Sequence, residues 1–161
     1  MDMQTAVDNF TNSMAHCDNM VAVHRAAGSG TPGRRRVETS VNRGVIVTAV
    51  ATWQAFVQDV AQALRDVVLT ELQKASGSAL VAGAATQWET DFKTALKRFS
   101  TPNPDNLKAL LGRTGFDPQP QWTWKQRGGR GSGSFVVEPK HVRQVLSQWI
   151  EIRHDVAHGN E

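Results

Sequence analysis

The sequence has little of what cross-links a protein or anchors it in a membrane. Cys17 is the single cysteine, which excludes an intrachain disulfide and a cysteine-based zinc cage. We find no apolar run of the length that a membrane-spanning helix needs. Residues 1–4 lack the basic start and the apolar stretch of a signal peptide. We therefore expect a cytoplasmic protein without membrane contact, in which Cys17 is buried as a small apolar residue.

Internal repeats and strand-like alternation are also missing. The 161 residues include 40% hydrophobic and 20% charged ones, a balance typical of one folded domain. Apolar residues recur every three or four positions, which predicts amphipathic helices. The predicted fold is therefore a single all-α domain over residues 1–161, a bundle of four to five helices. The predicted helices lie at 2–26, at 35–74 in the centre, at 86–99, after an N-cap at Asn103 or Asp105, and at 139–158.

The segment 115–137 is predicted to be a long polar loop rich in glycine, tryptophan and arginine. Its tryptophans, Trp122 and Trp124, alternate with basic residues in a chain of net charge +3. Such loops can stack bases and contact phosphates of single-stranded RNA. Alternatively, the tryptophans fill the bundle and the rest is a linker, and both descriptions can hold together. The candidate RNA-binding residues here are Lys125, Arg127 and Arg130.

A permanently charged residue interrupts an apolar seam in the last predicted helix. Alternating steps of four and three residues predict one buried seam. An arginine on such a seam needs partners, because burying an uncompensated charge is costly. It can pair with a carboxylate inside the bundle, or the seam can open into a cleft that binds an anion. The seam comprises Val142, Leu146, Trp149, Arg153 and Val156.

Two histidines accompany this arginine. His154 and His158 are four residues apart and share a helix face, with Arg153 beside them. Imidazoles exchange protons near neutral pH and an arginine can neutralise a phosphate, so these groups could cleave a phosphodiester without a metal. The same spacing also fits histidines that stabilise a helix C-terminus by about 0.3–1 kcal/mol. A third ligand is lacking, so we expect neither a metal nor another cofactor.

The stretch 150–159 resembles the signature of HEPN proteins, an arginine followed by a polar residue, three variable residues and a histidine. The stretches 51–57, 99–107 and 122–124 resemble the RiboL-PSP-type branch of that family, so the resemblance covers roughly residues 40–159. It implies a helical bundle that forms a homodimer, with the motif helices of two subunits facing each other across a cleft. It also implies a metal-independent endoribonuclease leaving 2′,3′-cyclic phosphate, a toxin or phage-defence effector controlled by an antitoxin or another regulatory protein.

The motif assigns roles by position. The resemblance implies that Arg153 binds the scissile phosphate and that His158 transfers protons. His154 occupies the polar position, often asparagine in the family, and would add an acid/base group or alter the activity. Asp59 is the nearest acidic candidate in the long helix to orient Arg153, although it could equally lie at the surface.

Two alternatives to the nuclease remain open. One is a non-catalytic HEPN module that binds RNA, a nucleotide or a protein partner. The other is a structural bundle in which Arg153 forms an ion pair at an interface.

Overall fold

The computed structural model describes residues 1–27, 36–75, 77–127 and 133–158. Helices dominate these ranges, which confirms the predicted all-α class. The α-helices of the described ranges are α1 (Met3–Ala27), α2 (Arg36–Lys74), α3 (Ala79–Arg98), α4 (Pro104–Gly112) and α5 (Pro139–His158).

The helix α2 is the centre of the bundle, as its apolar composition predicts. It packs against α1, α3, α4 and α5. The ring of Phe10 in α1 contacts Trp53 and Phe56 of α2, with ring centroids 6.3 and 4.7 Å away. Asn9 donates a hydrogen bond of 3.0 Å to Asp59 near the middle of α2. Towards its end, α1 lines a cleft with the beginning of α2, so the two helices are antiparallel.

Cys17 lies in the interface that α1 presents to the bundle. The thiol is free and buried, as the sequence predicts. Burial raises the pKa of the Cys17 thiol, and the neighbouring charge of Asp18 adds to that rise. Cys17 therefore contributes packing, because the nucleophilic thiolate is disfavoured.

The hydrophobic core lies between α2, α3 and α4. Asn103 caps α4 by accepting a 2.8 Å hydrogen bond from the Asn106 N–H, and Pro104 occupies the first turn. The α4 helix then turns its leucines towards Phe92 of α3. The buried residues of the hydrophobic core are Val57, Ala61, Phe92, Phe99, Leu107, Leu110 and Leu111.

The helix α3 begins earlier than predicted. It starts at Ala79 rather than near residue 86, because the Ser78 hydroxyl accepts a 3.3 Å hydrogen bond from the Val81 N–H and caps it. Its first two turns are largely exposed. The helix was predicted from a buried apolar face. These two turns do not contribute to that face, so the prediction missed them.

The segment 115–137, predicted to be a long polar loop, contains short regular elements in its described parts. A 3-10 turn at Gln119–Gln121 leads into the antiparallel strands β1 (Trp124–Arg127) and β2 (Ser134–Val137). We call these two strands the hairpin. Each strand has four residues, too few for a period-two pattern to stand out in the sequence.

One helix bears on the expectation about long apolar segments. Within the described residues, Ser40–Lys74 of α2 contains an 18-residue window with a mean hydropathy of 1.2, which is long and apolar enough, by length and composition only, to cross a membrane. The prediction considered uninterrupted apolar runs, whereas averaged hydropathy tolerates the polar residues interspersed in α2. The central helix of a bundle passes the same criterion, and α2 packs against four helices here.

Candidate functional site

The helix α5 carries the candidate site and lies along α2. Arg143 in its second turn forms a 2.8 Å ion pair with Asp105 at the start of α4. Trp53 of α2 donates a 3.3 Å hydrogen bond to the carbonyl of Pro102, just before α4. The beginning of α5 therefore lies near the level of Trp53. Further along, Ile150 of α5 lines an apolar cleft together with residues of α2, and the motif residues extend towards the beginning of α2.

The buried line of α5 differs from the predicted seam. Ile150 is the buried residue of this helix, and Leu146 is half-buried beside it. Trp149, which was predicted to be buried, is 45% exposed, and Ile152 is 44% exposed. The prediction was wrong at Trp149 because α5 has apolar residues on two adjacent faces, and spacing alone does not say which face meets the bundle.

The second apolar face of α5 is a continuous stripe. Its residues follow at steps of four, three and four, the spacing of a coiled-coil seam. The outer two residues are half-buried and the inner two are exposed. The α5 stripe consists of Val145, Trp149, Ile152 and Val156.

Arg153 is half-buried between the buried line and the α5 stripe. It forms no ion pair or hydrogen bond with any residue of the described ranges. The first explanation for a charge at this position, a carboxylate partner inside the bundle, thus has no support among the described residues. A half-buried guanidinium without an internal partner is suited to bind an external anion.

His154 and His158 stand side by side on α5. Their ring centroids are 6.3 Å apart and the ring planes differ by 9°, as the four-residue spacing predicts. His154 is half-buried and His158 is exposed in the last turn. Within the described ranges, no group of three histidine, cysteine, aspartate or glutamate side chains is placed to hold a metal ion. The arrangement of the pair follows from the helical repeat, which brings residues four positions apart onto one face.

Arg153 and His158 do not point in the same direction. Five residues separate them on a regular helix, which corresponds to a rotation of about 140° around the helix axis. A single α5 therefore presents the arginine beside the α5 stripe and the histidine pair on another flank.

Of the two alternatives for Asp59, orienting Arg153 or lying at the surface, the first has no support within the described chain. Its carboxylate accepts a 3.0 Å hydrogen bond from Asn9 of α1 and forms no ion pair with Arg153 among the described residues. Asp59 follows Trp53 along α2, whereas α5 extends from the level of Trp53 in the opposite direction. Among the described residues, therefore, no carboxylate orients Arg153 within one chain.

The candidate RNA-binding residues lie on the hairpin. Lys125 and Arg127 are exposed residues of β1, and neither forms an ion pair within the described ranges. Arg130 lies outside the described residues. Trp122 packs against the hydrophobic core, which fits the alternative in which the tryptophans fill the bundle. Trp124 is exposed, which fits the alternative in which they contact RNA.

Sequence reasoning missed the exposed residues Ile152 and Phe135. Ile152 belongs to the α5 stripe, and its heptad spacing with Trp149 was a signal that could have found it. Phe135 is 50% exposed on β2. Only the register of the hairpin places it near Trp124, and a sequence does not give that register when the turn is unknown.

No protein-family model, curated protein or solved structure matches the chain. The resemblance to HEPN proteins thus rests on the sequence stretches described above.

Proposed function

We propose that the protein is a metal-independent endoribonuclease of the HEPN type whose active site forms between the α5 helices of two copies. The observation that carries the proposal is the half-buried Arg153 guanidinium, which has no anionic partner in the described ranges and lies on the same helix as a stacked histidine pair. An anion site and two proton-exchanging groups on one helix support phosphodiester chemistry in particular.

Arg153, His154 and His158 have separate roles in the proposed reaction. Arg153 binds the scissile phosphate and offsets the charge that develops on its oxygens. One imidazole of the pair His154 and His158 removes the proton of the ribose 2′-hydroxyl, and the hydroxyl oxygen attacks the phosphorus. An imidazolium protonates the departing 5′-oxygen, which leaves a 2′,3′-cyclic phosphate and a 5′-hydroxyl. The proton removed and the proton delivered balance over the reaction.

A second copy is needed because one helix cannot aim all three groups at one phosphate. Arg153 and His158 diverge by about 140° on a single helix. The exposed α5 stripe lies beside Arg153 and has the spacing by which helices pair. Pairing along this stripe would place Arg153 of each copy at the edge of the interface, whereas His154 and His158 lie on the other side of α5. That the arginine of one copy meets the histidines of the other is therefore proposed from the HEPN resemblance alone. The stripe itself supports a homodimer.

The hairpin and the cellular setting complete the proposal. Lys125 and Arg127 are exposed cations on β1, suited to contact the phosphates of bound RNA. The proposed protein acts in the cytoplasm as a toxin or phage-defence effector. An antitoxin or another regulatory protein then keeps its activity in check.

One observation favours a second function, a non-catalytic HEPN module that binds RNA, a nucleotide or a protein partner. Asp59 bonds with Asn9, so no described carboxylate orients Arg153. An unoriented arginine can bind an anion without cleaving it.

Metal-free incubation with labelled RNA in chelator separates the two functions. We expect wild type to release fragments that end in 2′,3′-cyclic phosphate. Arg153→Ala and His158→Ala should each lower the rate by about 100-fold or more, since a general acid or base contributes 10²–10⁴-fold. Arg98→Ala and His141→Ala are matched controls, because both residues are exposed and lie outside the motif; they should cleave like wild type.

Two results would contradict the nuclease. Undiminished cleavage by the Arg153→Ala variant would separate the activity from α5, and cleavage only with added metal would contradict the proposed chemistry. Binding that weakens steeply with salt but gives no product would instead support the binding module.

A further inference from the structure

The hairpin has two chemically different faces. In an antiparallel pair, directly opposed residues share a face and neighbours along a strand alternate. Trp124 opposes Val137, and Gln126 opposes Phe135, so these four residues form one face. The opposite face contains Lys125, Val136, Arg127 and Ser134.

The first face exposes two aromatic rings. Trp124 is 47% exposed and Phe135 is 50% exposed. They occupy diagonal positions of the register, which places their Cα atoms roughly 7–8 Å apart. Neither ring contacts another aromatic ring within the described ranges. We call this pair the aromatic platform.

Two of the other tryptophans, Trp53 and Trp88, have hydrogen-bond partners in the fold that Trp124 lacks. The Trp53 indole donates to the carbonyl of Pro102, and the Trp88 indole donates to the carbonyl of Arg113. The Trp124 indole N–H forms no hydrogen bond with a described residue. The fold therefore does not explain why a large ring occupies this position.

The hairpin strands are also uniformly basic. Lys125 and Arg127 are their only charged residues, and both are exposed. Both side chains lie on β1, whose outer edge is unpaired in this two-stranded sheet. Long flexible cations at a free edge can reach an anionic backbone that passes along either face.

We propose that the hairpin binds single-stranded RNA, with two neighbouring bases stacked on Trp124 and Phe135 and the phosphates held by Lys125 and Arg127. The proposal deepens the proposed function and rests on it, because it takes RNA as the substrate. Flat apolar rings on one face and long cations that can reach round the free edge from the other match the two parts of a nucleotide, a base with a π face and an anionic phosphate. A duplex hides its base faces, so the aromatic platform selects unpaired RNA.

Binding is tested with a fluorescein-labelled 12-nucleotide RNA in which every 2′-hydroxyl is methylated. This probe has no 2′ nucleophile, so wild type can be used intact and binding is measured apart from cleavage. We expect Trp124→Ala and Phe135→Ala each to raise the Kd by about 10-fold, since stacking on one aromatic ring contributes about that much. Trp124→Phe should restore most of the affinity because it keeps a ring.

The controls address the fold and the charge. Leu80→Ala removes an apolar residue that is 83% exposed on α3 and should leave the Kd unchanged. Lys125→Ala should weaken binding and reduce its salt dependence. The matching duplex should bind at least 10-fold more weakly than the single strand. Its Kd should not change with Trp124→Ala.

The outcomes separate this inference from the proposed nuclease. Unchanged binding by Trp124→Ala and Phe135→Ala would overturn the aromatic platform, even if the metal-free assay places cleavage at Arg153. A loss with Trp124→Ala that Trp124→Phe does not restore would also overturn it, because the loss would then reflect a distorted hairpin. Ring-dependent binding without any cleavage would support the platform and contradict the nuclease.

Discussion

At the scale of single residues, Asp117 connects α4 to the segment that leads into the hairpin. Its carboxylate forms a 2.8 Å ion pair with Lys108 of α4 and accepts a 3.0 Å hydrogen bond from the Gln119 N–H. The hydrogen bond from Lys108 and that from Gln119 lower the pKa of Asp117 below its usual value of 3.8. The charged form of Asp117 therefore stabilises the fold.

This residue predicts a pH dependence of stability. Because the pKa is lower in the folded chain than in the unfolded one, the stabilisation is complete above about pH 4 and is lost as the pH falls through the folded pKa. Asp117→Asn should lower the Tm at pH 7, and the difference from wild type should shrink towards pH 3. Thermal unfolding followed by circular dichroism measures both. Asp18→Asn changes an exposed carboxylate without a described ion pair; an equal effect there would contradict the prediction.

At the scale of elements, the α5 stripe is an apolar surface that the described chain covers only in part. Trp149 and Ile152 are exposed at its centre, and Val145 and Val156 extend it along the helix. Helices that present such a seam bury it by pairing. The stripe adjoins Arg153 but not the histidine pair, so assembly and the candidate site share only the arginine.

A charge in the stripe should therefore separate the proposed dimer. Ile152→Glu should convert wild-type dimer to monomer in light scattering at tens of micromolar protein, because a carboxylate at an apolar interface is costly to bury. Leu80→Glu, at an exposed apolar residue of α3, should not change the mass. Wild type that is monomeric under these conditions would rule out the stripe as a dimer interface.

The elements also show what the sequence could predict. The bounds of α5 follow from Pro139 at its start, and the cap of α4 follows from Asn103, since both residues act locally on the backbone. The spacing of His154 and His158 likewise predicts their stacking. These features depend on neighbours within a few residues.

The features that the sequence did not predict depend on distant contacts. Packing against α2 buries Ile150, whereas Trp149 lies at the rim of the same cleft and stays 45% exposed. Asp59 bonds with Asn9 because α1 lies antiparallel on α2. The hairpin depends on pairing between two strands that are each too short to be recognised alone.

At the scale of the whole molecule, the hydrophobic core and the candidate site occupy different parts of the bundle. The core joins α2, α3 and α4 around Phe92 and Leu107. The motif residues of α5 lie beyond Ile150, towards the beginning of α2. Stability and activity should therefore respond to different substitutions.

A substitution in the hydrophobic core tests the expected effect on stability. Phe92 is almost fully buried and stacks on Trp88 with ring centroids 5.5 Å apart. Phe92→Ala should lower the free energy of unfolding by about 3–5 kcal/mol, the usual cost of removing a buried phenyl ring. Urea denaturation measures the loss, with Leu80→Ala as a nearly neutral control. A loss below about 1 kcal/mol would contradict the placement of the core.

The helix that carries the candidate site has fewer fully buried residues than α4. Ile150 is the buried residue of α5, whereas α4 buries Pro104, Leu107, Leu110 and Leu111. A molecule that binds only the docked form of α5 stabilises it by mass action, by about 2.7 kcal/mol at a concentration 100 times its Kd. This stabilisation is lost when the bound molecule is diluted below its Kd. The order of the candidate site is therefore coupled to the concentration of whatever binds α5.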